Sequence, residues 1–165
     1  MGLRRREIAE LYERRYVGFR NALAMVTGSY DTARDAVQEA FAEALRQRRS
    51  FRGDSTAEAW VWSIAVRLAR RERGQRTKQV MTRDGALPES EAGFVDAIED
   101  PFVASALRDL PERRRLITFL HYFADLSYEQ IAEICEVSPG TVAATLTQAR
   151  NALRAALEAN DEVRT

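Results

Sequence analysis

Residues 126–157 read LSYEQIAEICEVSPGTVAATLTQARNALRAAL. Ser127 and Gln130 have the spacing of a capping box, which predicts a helix start with Ile131, Ile134 and Cys135 turned inward. After a turn of three or four residues, Ser138 caps a second helix with Pro139 at its first position, where a missing N–H costs nothing. Val142, Leu146, Ala149, Leu153 and Leu157 form its buried stripe. Two short helices around such a turn predict a helix-turn-helix. In the DNA-binding version the second helix enters the major groove and its first residues face base edges. Here the outward positions are Gly140, Thr141, Ala143, Ala144, Thr147 and Gln148. Glutamine can read adenine through two hydrogen bonds, and Thr and Ala methyls can touch the thymine methyl. Helical hairpins that never touch DNA share this layout.

Moving toward the N-terminus, Pro101–Arg108 predicts one short helix. Pro111 opens another, with Leu116, Ile117, Leu120 and Phe123 inward. Arg113, Arg114 and Arg115 read as a solvated face. Residues 77–99 break the pattern. Helical periodicity stops after Arg76, Gly85 and Pro88 punctuate the stretch, and acidic and small residues dominate it. That length predicts a flexible tether between modules.

Residues 1–76 predict three helices. The first runs from about Arg5 to Val26, burying Ile8, Leu11, Tyr12, Phe19, Leu23 and Val26, and ends at Gly28. Asp31 is the expected N-cap of the second, whose stripe is Ala33, Ala36, Val37, Ala40, Phe41, Ala44 and Leu45. Arg48–Asp54 is a polar loop around Phe51 and Gly53. Ser55 and Glu58 suggest a second capping box, starting a helix with Ala57, Trp60, Val61, Ile64, Ala65 and Leu68 on its stripe. Arg67, Arg70 and Arg71 share the opposite face. Trp62 lies off the stripe, which leaves an interface role and burial against the first helix both open. Phe51 either caps the core or faces a ligand.

The expected fold class is therefore all-α: two small helical domains joined by a flexible acidic linker. Charge is segregated although the 165 residues are neutral in sum. Residues 1–80 carry 17 Lys/Arg against 10 Asp/Glu, residues 81–101 one Arg against six Asp/Glu, and residues 102–165 seven Arg against nine Asp/Glu. A basic first module and an acidic tether suggest two different partner surfaces. One cysteine excludes an intrachain disulfide, and neither a signal peptide nor a membrane-length apolar run is evident, so a cytoplasmic protein without membrane insertion is expected. With one His and one Cys, no catalytic constellation or metal cluster can be assembled, and no Gly-rich phosphate loop is present. No catalytic residue, metal, cofactor or small-molecule substrate is expected. His121 and Cys135 read as structural.

The block DLPERRRLITFLHYFADLSYEQIAEICEVSPGTVAATLTQARNALRAAL (109–157) resembles the C-terminal promoter-reading region of extracytoplasmic-function (ECF) sigma factors of bacterial RNA polymerase. YDTARDAVQEAFAEALRQRRSFRGDSTAEAWVWSIAVRLARRERGQR (30–76) is similar to their polymerase-binding and promoter-melting region. The resemblance implies region 2 in residues 1–76, a linker in 77–99 and region 4 in 100–165. It implies that Asp35, Gln38, Glu39 and Phe41 bind the polymerase. It implies minus-ten contacts by Phe51, Arg52, Asp54, Trp62, Arg67, Arg70 and Arg71, with an aromatic holding an unstacked base and arginines holding the backbone. It implies minus-thirty-five reading by Ser138, Thr141, Ala143, Ala144, Thr147, Gln148 and Arg150. The implied partners are core RNA polymerase through its β′ and β subunits, promoter DNA and an anti-sigma protein.

Three positions depart from the family pattern. The helix over 143–148 has no basic residue, Glu136 stands where the turn glycine is usual, and Arg67 stands where Asn is common. A free-standing helix-turn-helix regulator and a degenerate sigma-like interaction module remain alternative readings.

Overall fold

The computed structural model describes residues 2–27, 29–81 and 101–164. The chain divides into two compact units, Met1–Glu91 and Ala92–Thr165. No strand occurs among the described residues, and none of their helices is long and apolar enough to cross a membrane. The all-α expectation holds.

The first unit contains α1 (Arg5–Thr27), α2 (Tyr30–Gln47) and α3 (Ala57–Met81), each packed on the other two, with a short 3-10 turn at Arg48–Ser50 after α2. Ile8, Leu11, Phe19 and Leu23 of α1 are buried, as is the alanine-rich face of α2, and the two helices pack together. Small side chains on that face let the helices approach closely around the larger Phe19, Phe41 and Trp62. Leu45, expected on the stripe, is exposed at the edge of the α1–α2 seam. The N-cap of α2 is Ser29 rather than Asp31: its side chain accepts from the Thr32 N–H, and Asp31 sits in the first turn, where a carboxylate complements the helix dipole.

The capping box expected at α3 does not form. Thr56 Oγ1 accepts from the Ala59 N–H at 3.1 Å, and Glu58 reaches α1 instead, where Arg15 Nε donates to it at 2.6 Å. This ion pair is largely shielded and ties α3 to α1. Helix α3 also continues to Met81, five residues past the expected end at Arg76. Lys78, Gln79 and Met81 are good helix formers, and no Gly or Pro follows Gly74 until Gly85. The rest of the expected tether, the stop at Gly28 and the side chain of Val26 lie outside the described residues.

On α3, Trp62 takes the second of the two roles left open for it and is fully buried against the first helix, while Trp60, expected on the buried stripe, is only half-buried. Because α3 touches both α1 and α2, it needs a wide apolar arc. A second stripe, Ala59, Trp62, Val66 and Ala69, lies beside the one formed by Val61, Ile64 and Ala65, and both are buried.

The second unit contains α4 (Pro101–Asp109), α5 (Glu112–Tyr122), α6 (Tyr128–Cys135) and α7 (Pro139–Arg164). The long α7 is packed by all three shorter helices. Leu116, Ile117, Phe119, Leu120, Ile131, Ile134, Cys135, Val142, Leu146 and Ala149 form the core. Phe123 is half exposed, since the helix ends one residue before it, and its ring stacks on buried Phe119 at 5.2 Å. Leu157 is likewise exposed. Of the three successive arginines, Arg115 is buried and donates to the Arg108 carbonyl at 3.2 Å, so it is a packing residue and not part of a solvated face.

Candidate functional site

On α2, burial of Ala36, Val37 and Ala40 turns Asp35, Gln38 and Glu39 to solvent. Arg34 lies 3.6 Å from Asp31 and 3.9 Å from Asp35. Arg46 donates to Glu39 at 2.6 Å and shares its guanidinium with Glu43. The Arg46 hydrogen bond, then one from Gln47, holds the Glu43 carboxyl below its ordinary value, and the two glutamates raise Arg46 in turn. Sequence reasoning missed Arg46, although its spacing of seven and three residues from the two glutamates is a helical signal.

Phe41, expected at this surface, is buried, with its ring edge-on to Tyr12 at 5.0 Å and Phe19 at 5.1 Å. It forms the floor of a groove of about 440 Å³ between α1 and α2, with Ile8, Tyr12, Gln38 and Leu45 along the sides.

The loop before α3 presents Arg52 and Asp54 to solvent. Gly53 lies between them at φ +81°, a backbone state that glycine adopts without strain. Phe51 points the other way. It is buried, 5.4 Å from the Trp60 ring, and anchors the loop to the helix. Trp62 stacks on Phe19 with centroids 3.7 Å apart and planes 8° from parallel. Neither Phe51 nor Trp62 offers a face to an unstacked base, so both expected aromatic contacts are corrected to core residues. Arg67 and Arg71 are exposed and Arg70 half-buried, and the i, i+3, i+4 spacing puts them on one side of α3.

In the second unit, the α6–α7 turn is Glu136, Val137 and Ser138. The Ser127–Gln130 capping box forms in both directions. At the other end of α6, Val137 N–H reaches the Ala132 carbonyl at 2.9 Å and Glu136 N–H the Glu133 carbonyl at 3.3 Å, a Schellman closure. Glu136 is left-handed at φ +56°, so a non-glycine residue occupies the position that favours glycine. Ser138 Oγ accepts from the Thr141 N–H at 3.1 Å and starts α7.

Thr141, Ala144, Thr147 and Gln148 are exposed along the first half of α7, and Ala143 is half-buried. Thr147 donates back to the Ala143 carbonyl at 3.0 Å. Gln148 accepts from Arg114 Nη2 of α5 at 2.8 Å. Arg150 donates to the Tyr122 hydroxyl at 3.2 Å, and hydrogen bonds to Tyr122 first and Tyr128 second hold its pKa above the ordinary arginine value. Arg114 and Tyr122 were missed as site residues. They stand 34 and 28 residues from their partners, and no local periodicity reports such a pairing. His121 packs its ring against Tyr122 and Tyr128, consistent with a structural role.

Two family descriptions match the chain in order: sigma-70 region 2 over residues 11–79, and sigma-70 region 4 over residues 103–153. The chain is 34% identical over 142 residues to the RNA polymerase sigma-H factor of Pseudomonas aeruginosa, covering 76% of this chain and 73% of that one. It is 33% identical over 134 residues to the ECF RNA polymerase sigma-E factor of Escherichia coli K12, covering 72% and 70%. Among solved structures it is similar to the sigma factor RpoE of Bartonella quintana, crystallised with the anti-sigma factor NepR. That likeness has a TM-score of 0.72 at 25% identity, over 90% of this chain and 97% of that one. With both regions matched in order and relatives covered over most of their length, the chain belongs to the ECF group of sigma-70 RNA polymerase sigma factors, which direct promoter-specific transcription initiation.

Proposed function

We propose that the Asp35–Gln38–Glu39 face of α2, with the groove floored by Phe41, docks on core RNA polymerase through its β′ and β subunits. Arg52 of the loop before α3 and Arg67, Arg70 and Arg71 of α3 then hold the melted minus-ten strand by its phosphates, while Asp54 on the same loop is an acceptor for a base-edge amino group. The first half of α7, from Ser138 to Arg150, reads the minus-thirty-five element of the duplex. The chain performs no chemistry and leaves nucleotide addition to the polymerase, in the cytoplasm. An anti-sigma protein covering these surfaces would hold it inactive, by analogy with the complex of the Bartonella quintana relative.

The observation that carries this reading is the exposure of Asp35 and Glu39 one turn apart on a helix whose opposite face is fully committed to the core. Two carboxylates beside an apolar groove suit a basic, partly apolar partner surface. The test is run-off transcription from promoter fragments with purified core enzyme. Wild-type protein should give promoter-specific transcripts, and Asp35→Lys with Glu39→Lys should abolish them while the melting curve stays close to wild type. Transcripts that survive the double change sink the assignment of this face.

A further inference from the structure

From Gly140 to Gln148, α7 carries no charged side chain, and its one large polar group is the Gln148 amide. On an open helix face such an amide turns freely. Presented one way, it offers a carbonyl to the N6 amino group of adenine and an N–H to N7. Presented the other way, its two N–H groups suit the O6 and N7 acceptors of guanine. An untethered glutamine therefore discriminates poorly between the two purines.

In this protein the amide is tethered. Arg114 Nη2 lies 2.8 Å from Gln148 Oε1. A guanidinium has five donors and no acceptor, so the atom facing it must be the amide oxygen. Arg114 is itself half-buried at the side of α5 rather than free in solvent. A carbonyl oxygen keeps a second lone pair when the first is taken. With Arg114 on one, the other can accept from adenine N6, and Nε2 donates to N7.

We propose that Arg114 is a positioning residue for base reading: by holding the Gln148 carboxamide in one orientation, it gives the helix a preference for adenine over guanine at one base pair of the upstream promoter element. The inference rests on the reading of α7 proposed above. It assigns Arg114 a role in specificity and not as a phosphate anchor.

The experiment uses the full chain assembled with core RNA polymerase on promoter duplexes randomised across the upstream element, with bound and unbound pools sequenced. Wild type should favour adenine over guanine at one position by about tenfold, the size expected of one good bidentate contact. Arg114→Leu should reduce that ratio to within about twofold while leaving preferences elsewhere intact, because only the contact Arg114 orients is affected. Gln148→Ala should give the same relaxation, and the double substitution should add nothing further, as for two groups acting as one. Arg114→Lys, which keeps one donor for Oε1, should recover part of the ratio. Two results overturn the proposal. One is an unchanged adenine-to-guanine ratio in Arg114→Leu. The other is uniform weakening on every sequence with the salt slope lowered by about one, the mark of a lost phosphate contact. Wild-type enzyme that initiates normally yet shows no preference anywhere in the element removes the α7 reading itself, and this inference with it.

Discussion

Replacing Trp62 with alanine should strongly destabilise the first unit rather than merely weaken its hold on DNA. The indole is fully buried and lies flat on Phe19 at 3.7 Å. An aromatic of this kind buries about 150–250 Å² of surface. At about 25 cal/mol per Å², that is worth about 4–6 kcal/mol, of which alanine recovers a minor share. Measured aromatic-to-alanine changes in cores cost about 3–5 kcal/mol. A folding unit of this size has about 4–12 kcal/mol of stability in all, so the substitution removes a large fraction of it. For a unit this small each kcal/mol shifts Tm by about 4–8 °C, which predicts a drop of at least about 12 °C. Trp62→Phe keeps the ring stack and most of the volume, and should cost about half as much or less. The assay is thermal melting by circular dichroism, run beside transcription with core enzyme below the melting point. Arg67→Ala with Arg71→Ala serves as the contrast, with an unchanged melt and reduced opening of the minus-ten region. If Trp62→Ala melts within a few degrees of wild type yet fails in promoter opening, the indole is a DNA contact and the packing argument is wrong.

Glu136→Gly should stabilise the second unit by about 1 kcal/mol, since the left-handed C-terminal position of α6 strains any side-chain-bearing residue; a raised urea midpoint checks it, and an unchanged or lowered one argues that the glutamate has compensating contacts. Glu43 is held below its ordinary carboxylate value, chiefly by Arg46 and then by Gln47, so its contribution is present above 4.5 and fades as the pH falls through its folded value. The stability gap between wild type and Glu43→Gln should therefore close on acidification and shrink in high salt, which urea titrations at a series of pH values measure; a gap independent of pH refutes the assignment.

The amino-acid sequence by itself determined that this protein is a pair of helical units, the second with a helix-turn-helix. Both properties are written in local spacing: the Ser127–Gln130 box, Ser138-Pro139 before α7, and the Val142–Leu146–Ala149 stripe all act within a few residues, and the structure keeps each of them. The exposed candidates on α2 and α7 were legible for the same reason, since a residue opposite a buried stripe must face out. What only tertiary structure decided was which partner each side chain meets. Of the two roles the sequence left open for Trp62, the fold selects burial against the first helix, because α3 packs against two helices at once and a single-stripe reading allows for one. Glu58 abandons a local cap for Arg15, 43 residues away, because the α1–α3 contact brings a cation within 2.6 Å. Phe41 already stood on the buried stripe of α2 in the sequence, and the fold added its ring partners on α1, Tyr12 and Phe19. Periodicity reports which way a side chain faces along its own helix. The Arg114–Gln148 pair, like these, exists only once separate helices have been brought together in space.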